Sequence, residues 1–272
     1  MCYNDTIMDI LDDRVAFVGD THGNTKSLVN QLKVINSLGI YTVFICGDFG
    51  IWGGYSGSQF LNDINRTLRN LDMKMYVTLG NHENYDMVDN HEKDSDGVMW
   101  FRENICVFPR PYRFTLNGMS VLSLGGAPSI DFEYRTLGYD WWAGEFITSN
   151  EACEAVDGGH ADIMITHDAP DNGTVAVQTI IDSNPYGFST RARKYAEHGR
   201  HMMSSVVASV QPDLLIHGHY HVSDKGMMPH GGDIFSLSAE GGYGSVVVLD
   251  TSDGAVVEWL EDLIERKTER RL

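Results

Sequence analysis

Residues 15–23 read Val-Ala-Phe-Val-Gly-Asp-Thr-His-Gly, a short apolar run that leads directly into a polar motif flanked by glycines. The apolar run Val15–Val18 predicts a buried β-strand, and the motif predicts a turn at its end. The pattern recurs in Val43–Cys46, which precedes Gly47-Asp48, and in Met75–Leu79, which precedes Gly80-Asn81-His82-Glu83. Three buried strands, each followed by a polar turn, therefore open the fold.

Helical periodicity fills the two intervals between these strands. Residues 25–38 place Leu28, Leu32 and Ile35 on one face, and Gly39 ends that helix. A second amphipathic helix is marked by apolar residues at helical spacing, namely Phe60, Leu61, Ile64, Leu68 and Leu71. The order β-α-β-α-β predicts an α/β fold with a parallel, buried sheet, whose carboxyl edge is where ligands bind.

The rest of the chain continues the fold with different elements. Tyr112 to Leu124 predicts a hairpin that turns at Asn117-Gly118. Strands are predicted at Ile163–Thr166 and Leu214–Ile216, with a polar loop and a helix over about 187–209 between them, and short antiparallel strands over 222–259. We predict one domain over residues 1–272, with an active-site insertion around 125–150 that is rich in glycine and aromatic residues.

Composition limits the classes of function. The chain has 272 residues, 42% of them hydrophobic, and a formal net charge of −18. Such an acidic protein lacks the basic face that a duplex nucleic acid requires. If it acts on an anionic substrate, local positive charge must come from another source, and metal ions held by carboxylates would provide it.

The sequence also predicts a location. The N-terminal residues show neither the basic nor the apolar region of a secretory signal, and no apolar stretch approaches the roughly 20 residues of a membrane span. The four cysteines are scattered, which favours reduced, mostly buried thiols. We expect a cytoplasmic protein without a membrane partner.

Five separate pieces of sequence offer oxygen or imidazole donors at predicted strand ends. They are Asp20-Thr21-His22, Gly47-Asp48, Gly80-Asn81-His82-Glu83, Thr166-His167-Asp168 and Gly218-His219-Tyr220-His221. Carboxylates mixed with imidazoles suit divalent Mn, Fe, Zn or Ni. In an extended backbone, residues two apart point the same way, so Asp20 with His22, and His219 with His221, are expected to project together.

These motifs resemble those of the calcineurin-like metallophosphoesterases, in particular bacterial and phage members. The family series is GD-x-HG, GD, GNH-[DE], an isolated His and GH-x-H, and this chain reads GDTHG, GD, GNHE, THD and GHYH between residues 19 and 221. The resemblance covers about three quarters of the chain. It implies a four-layer αββα sandwich of two mixed β-sheets flanked by helices.

The resemblance also implies two divalent metal ions, with Mn favoured and Fe, Zn, Ni or Mg as alternatives. Position by position, one ion would be held by Asp20, His22, Asp48 and His221, and the other by Asp48, Asn81, His167 and His219. Two bridged ions clamp the oxygens of an in-line displacement and deprotonate a bridging water. His82 matches the residue that protonates the leaving oxygen or stabilises charge on it. Glu83 and Asp168 would orient ligands, and His217 would lie behind them or in the core.

The chain departs from the phosphoprotein phosphatase branch, whose second motif continues as GD-x-VDRG. Ile51 and Trp52 stand where that branch has Asp and Arg. The loss of a bidentate arginine affects monoester dianions more than diesters, which favours a diesterase. Within the insertion, Arg135 is a candidate phosphate contact, and Trp141 or Trp142 could stack on a base or instead fill the core.

Three functions follow from these observations. The first is a phosphodiesterase that hydrolyses small nucleotides, with cyclic nucleotides foremost. The second is a phosphomonoesterase, including a phosphoprotein phosphatase. The third, from another class, is a non-catalytic metal-binding scaffold, which would be expected to have lost ligands, whereas all seven expected ligand positions are filled.

Overall fold

The computed structural model describes residues 8–252 and 255–269, so residues 1–7 (with Cys2), 253–254 and 270–272 of the expected single domain lie outside the described part. The strands are β1 (Asp9–Ile10), β2 (Arg14–Val18), β3 (Thr42–Cys46), β4 (Lys74–Thr78), β5 (Met99–Arg102), β6 (Ile105–Val107), β7 (Tyr112–Leu116), β8 (Met119–Leu124), β9 (Ile163–Thr166), β10 (Leu214–His217), β11 (Asp224–Met227), β12 (Asp233–Ser236), β13 (Val246–Asp250) and β14 (Val256–Trp259). The helices are α1 (Thr25–Ser37), α2 (Gly54–Asn70), α3 (Tyr85–Asp89), α4 (Ser149–Asp157), α5 (Val175–Ser183), α6 (Thr190–Val210) and α7 (Leu260–Glu269).

In the described residues, the strands form two mixed sheets of seven strands each. The first sheet has the order β14-β13-β2-β3-β4-β6-β5, and the second has the order β1-β7-β8-β9-β10-β12-β11. Strands β2, β3, β4 and β6 run parallel, as do β8, β9, β10 and β12. Each sheet therefore brings several carboxyl ends to one edge.

Three apolar clusters show how the layers pack. One lies between the first sheet and α1 and α2, and another between the second sheet and α4 and α6. The third fills the space between the sheets, where Phe44 stacks against Phe17 at 5.1 Å and against Phe114 of the opposite sheet at 5.6 Å between ring centroids. The predicted four-layer αββα sandwich is confirmed.

Most predicted elements are present, with some differences. The hairpin turns at Asn117-Gly118 as predicted, and both of these residues have a positive φ. The segment predicted as a polar loop before α6 contains α5, so the prediction missed this helix. The expectation of only antiparallel strands after residue 222 is wrong for β12, which pairs parallel with β10. Within the insertion, residues 125–147 form short 3-10 turns at Phe132–Tyr134 and Ala143–Glu145 rather than a longer element.

Two further observations bear on the sequence predictions. None of the helices in the described residues is long and apolar enough to cross a membrane. Cys46 and Cys106 are buried free thiols, as expected, whereas the free thiol of Cys153 is exposed.

Candidate functional site

The five motifs meet at one edge of the sandwich. Asp20, Asp48 and Asn81 follow β2, β3 and β4 of the first sheet, whereas His167 and the pair His219 and His221 follow β9 and β10 of the second. Because these strands run parallel within each sheet, their carboxyl ends lie side by side. The site is thus built from both sheets.

One group of donors surrounds Asp20. The donor atoms of Asp20, His22, Asp48 and His221 all lie within 4.8 Å of one another. His221 Nε2 is 2.9 Å from Asp20 Oδ2, and His22 Nε2 is 3.4 Å from Asp48 Oδ2. These are the two carboxylates and two imidazoles that the family resemblance implies for one ion.

A second group of donors shares Asp48. His167 Nε2 lies 3.3 Å from Asp48 Oδ2 and 2.9 Å from Asn81 Oδ1, and the His219 ring is 4.9 Å from the His167 ring between centroids. Oδ2 of Asp48 is therefore near imidazoles of both groups. Asp48 is thus the carboxylate that the two groups have in common.

The backbone conformation at the donor residues differs from the extended one that the sequence predicted. His22, Asp48, His219 and His221 have φ values of 42°, 50°, 70° and 54°. These values lie in the left-handed region, which non-glycine residues rarely adopt and which concentrates at functional sites. The donor pairs therefore converge through tight turns, and the expectation that they project from an extended backbone is wrong.

Three glycines make room for the donors. A Cβ on Gly47 would lie 2.1 Å from the His167 ring, one on Gly80 would lie 2.2 Å from Asp48 Oδ1, and one on Gly218 would lie 2.1 Å from Asp20 Oδ1. Any other residue at these positions would displace a donor side chain. The backbone is thus shaped closely around the donors, as expected of a built ion-binding cradle.

The charges of the site also fit cations. Burial opposes ionisation of Asp48, yet His167 and His82 beside it hold the pKa of its carboxyl well below the usual value. Burial likewise opposes protonation of His167, but Asp48 and Asp20 raise its pKa to about 10. The buried carboxylates thus draw positive charge into the site, which divalent ions would supply.

His82 lies beside the donors and faces a guanidinium. Its backbone N–H donates to Asp48 Oδ1 at 2.8 Å, and its ring nitrogens lie 2.9 Å and 3.2 Å from Nη1 and Nη2 of Arg135. Asp131 accepts hydrogen bonds from Nε and Nη2 of Arg135 at 2.6 Å and 2.8 Å. The insertion therefore places an Arg–Asp pair next to the predicted catalytic histidine.

The insertion also contacts Asn81, a connection that the sequence did not reveal. Asn81 Nδ2 donates to Ser129 Oγ at 2.9 Å, and Ser129 donates to the carboxylate of Glu145 through both its hydroxyl and its backbone N–H at 2.6 Å. Glu145 is fully buried and also accepts from Trp141 Nε1 at 2.9 Å and from the Tyr195 hydroxyl at 3.1 Å. The amide of Asn81 is thereby oriented with Oδ1 toward His167.

Both tryptophans of the insertion have partners inside the protein. Trp142 belongs to the core cluster of the first sheet, and its Nε1 donates to Asp86. Trp141 packs against Phe132 as well as bonding to Glu145, so a stacking role for Trp141 stays a prediction. Of the two alternatives, stacking on a base or filling the core, Trp142 follows the second.

The remaining motif residues support the turns. Glu83 accepts backbone hydrogen bonds from Phe49, Gly50 and Gly80, which ties two motifs together. Asp168 accepts a hydrogen bond from the Tyr220 hydroxyl at 3.2 Å and so braces the last motif.

His217, Ile51 and Trp52, which the sequence places in or beside the motifs, are not charged groups facing the donors. His217 is fully buried, and its Nε2 has no hydrogen-bond partner among the described residues. Ile51 is core, and Trp52 donates to the carbonyl of His82, so neither supplies a charge to the site.

A cleft of about 930 Å³ opens from the site. Asp48, Asn81, His82, His219 and His221 line its inner end. Its outer end is lined by α5, α6 and the loop between them, a surface that the sequence did not mark as functional because its residues form no motif.

Comparison with known proteins agrees with this geometry. The family profile described as calcineurin-like phosphoesterase matches residues 13–223. No curated protein matches the sequence significantly. The structure is similar to that of the protein TT1561 of Thermus thermophilus, with a TM-score of 0.54, 11% identity and coverage of 94% of this chain and 100% of that one. It is also similar to a dimetal phosphatase from Danio rerio, with a TM-score of 0.55, 10% identity and coverage of 90% and 95%. At these identities, the structural matches show the fold alone.

Proposed function

This chain belongs to the calcineurin-like phosphoesterase family, and on that basis we propose that it is a metal-dependent phosphodiesterase that hydrolyses small nucleotides. The family and the cluster around Asp20 indicate a dinuclear site for divalent metals. The observation that carries the proposal is the position of Asp48, whose Oδ2 lies 3.4 Å from His22 Nε2 and 3.3 Å from His167 Nε2. One carboxylate thus faces both groups of donors.

The proposed ligands are those of the two donor groups. One ion would be held by Asp20, His22, Asp48 and His221, and the other by Asp48, Asn81, His167 and His219. When bound, such ions neutralise charge on the phosphate and lower the pKa of a water that attacks it. Mn is the first metal to test, followed by Fe, Zn, Ni and Mg.

The chain's own residues have distinct proposed tasks. His82 lines the cleft, and we assign it the transfer of a proton to the leaving oxygen. Arg135, in contact with His82, would bind a phosphate oxygen, and Asp131 holds the guanidinium in place. Ser129 and Glu145 fix the amide of Asn81.

A diester fits this charge pattern better than a monoester. Ile51 and Trp52 provide no guanidinium, and Arg135 is already paired with Asp131. The site therefore has less free positive charge for a phosphate dianion than an unpaired, bidentate arginine would provide. The phosphomonoesterase alternative rests on Arg135, if that residue releases Asp131 to bind a substrate.

Turnover of bis-p-nitrophenyl phosphate and of p-nitrophenyl phosphate, each with Mn²⁺, tests the proposal. We expect a higher kcat/KM for the diester, and Asp48→Ala is the inactive control. A monoester preference of ten-fold or more would favour the phosphomonoesterase. Two bound metal equivalents without turnover of any phosphoester, cyclic nucleotides included, would favour the scaffold. The cytoplasmic location and the lack of duplex nucleic acid binding stay predictions.

A further inference from the structure

The outer end of the cleft is a second binding surface. It belongs to the same cleft as the donor groups and is lined by Ile181, Tyr186, Phe188, Arg193 and Lys194 from α5, α6 and their connecting loop. We propose that this surface binds the leaving group of the diester, and that the leaving group is itself a nucleotide with a base and a terminal phosphate. The inference rests on the proposed phosphodiesterase and names its substrate class.

The loop between α5 and α6 presents aromatic side chains in a fixed conformation. Asn184 has a φ of 41°, and its side chain donates to the Phe188 carbonyl and accepts from the Phe188 N–H, both at 3.0 Å. Tyr186 is 79% exposed and lies 6.0 Å from Phe188 between ring centroids. An exposed aromatic side chain on a loop that its own hydrogen bonds hold in shape is suited to stack on a base.

The neighbouring turn of α6 carries free positive charge. Within residues 8–252 and 255–269, the side chains of Arg193 and Lys194 form neither an ion pair nor a hydrogen bond. Asp182, Glu197 and Arg200 also line the cleft. Because Arg200 is paired with Asp171 at 3.2 Å, Arg193 and Lys194 are the cleft's unpaired cations among the described residues. In a chain of net charge −18, such cations are the available partners for a second anionic group.

The size of the cleft argues for a substrate with two parts. Its volume of about 930 Å³ is near the upper limit of roughly 300–1,000 Å³ for small-molecule sites. A cyclic mononucleotide bound at Asp48 has no second nucleotide to reach Tyr186. On this proposal, a linear dinucleotide would place its scissile phosphate at Asp48 and its leaving nucleotide at Tyr186, both of which belong to the same cleft or its lining loop.

The reaction balances as a hydrolysis. The oxygen of water forms a new bond to phosphorus, and the bond from phosphorus to the 3′ oxygen of the leaving nucleotide breaks. That 3′ oxygen takes a proton from His82, and the protons of the water pass to solvent and to the regenerated imidazole. The products are two mononucleotides.

The test compares the diadenylates pApA and ApA with Mn²⁺, since only pApA has a terminal phosphate on its leaving nucleotide. We expect Arg193→Ala/Lys194→Ala to lower kcat/KM for pApA about ten-fold and to leave ApA unchanged within two-fold. Lys33→Ala/Arg69→Ala removes the same charge from α1 and α2 and is the control, expected to change neither. Tyr186→Ala should lower kcat/KM about ten-fold for pApA but not for an analogue whose leaving nucleotide lacks its base, with Tyr41→Ala as its control.

The outcomes separate this inference from the proposed function. Equal losses on pApA and ApA, or no loss on pApA, would overturn the leaving-group surface. If the protein hydrolyses bis-p-nitrophenyl phosphate but cleaves pApA no better than 3′,5′-cyclic AMP, the inference fails and the phosphodiesterase stands. If it hydrolyses no diester, both fail.

Discussion

The side-chain amide of Asn81 donates a hydrogen bond to the hydroxyl of Ser129 at 2.9 Å. Ser129 belongs to the insertion and is itself held by the buried carboxylate of Glu145. The insertion therefore contacts a proposed metal ligand directly. Mutation of a residue that hydrogen-bonds to a metal ligand commonly lowers the metal affinity by about 10–100-fold.

Ser129→Ala should weaken metal binding at the site that includes Asn81. The alanine cannot accept from the amide, so Asn81 Oδ1 loses its fixed orientation. We expect a loss of about 10–100-fold in the affinity of one of two Mn²⁺ equivalents, measured by titration calorimetry. Ser205→Ala, on the exposed face of α6, is the matched control and should bind both ions normally. Unchanged affinities in Ser129→Ala would mean that Asn81 is oriented without Ser129 or is not a ligand.

Asp48→Ala should abolish activity and lose more than one metal equivalent. Its Oδ2 is close to imidazoles of both donor groups, so both ions would depend on it. Metal content measured by mass spectrometry on dialysed protein provides the readout, and Asp20→Ala, whose carboxylate is assigned to one ion rather than to both, should retain more metal. A full equivalent bound to active Asp48→Ala protein would remove Asp48 from the bridge.

His82→Ala should impair catalysis without loss of metal. His82 contacts Arg135 and Asp48 at the inner end of the cleft, and general acid catalysis typically contributes 10²–10⁴-fold. We expect a fall in kcat of that size on a ribose leaving group and a much smaller fall on nitrophenolate, which leaves without a proton. His198→Ala, on the exposed part of α6, is the control. Equal losses on both substrates would assign His82 to phosphate positioning, and loss of metal would make it a ligand.

Glu145 should make stability depend on pH. Burial raises the pKa of Glu145 from 4.5 to about 7, against the donors that favour its carboxylate. The contribution of Glu145 to the free energy of unfolding is fully present below pH 4.5 and is lost as the pH rises through about 7. The reason is that the unfolded chain releases this proton more readily than the folded chain does. The free energy of unfolding would be measured by urea unfolding in the presence of a chelator from pH 5 to 8. It should fall less for Glu145→Gln than for the parent, because glutamine does not titrate. The difference between the two falls should be at most about 3 kcal/mol.

A second carboxyl provides the control for the pH experiment. Glu92 is exposed, so Glu92→Gln should follow the parent curve. Parallel curves for Glu145→Gln and the parent would show that the carboxyl of Glu145 does not titrate in this range.

The sequence predicted what local patterns determine. Apolar runs before Asp20, Asp48 and Asn81 located the strands, and parallel strands bring their carboxyl ends together, so the meeting of the motifs at one edge followed from order and spacing. The assignment of residues to two ions came from the family resemblance. The sequence did not predict the left-handed backbone at His22 or His221, because only the packed turns impose it.

Contacts between residues far apart in the chain also could not be predicted from the sequence. Ser129 and Asn81 are 48 residues apart, and no motif links them. The outer wall of the cleft was missed for the same reason, since Tyr186 and Lys194 become neighbours of the site only when α5 and α6 pack beside it.

The donors come from both halves of the sandwich, with Asp20 and Asp48 on one sheet and His167 and His219 on the other. Two metal ions coordinated by residues from both sheets would cross-link the sheets at this end. Elsewhere the sheets are held together by the apolar residues between them. Trace-metal supply would then govern the lifetime of the protein as well as its turnover. In metal-starved cells, we expect the two sheets to separate more often at this end and proteases to clear the chain sooner.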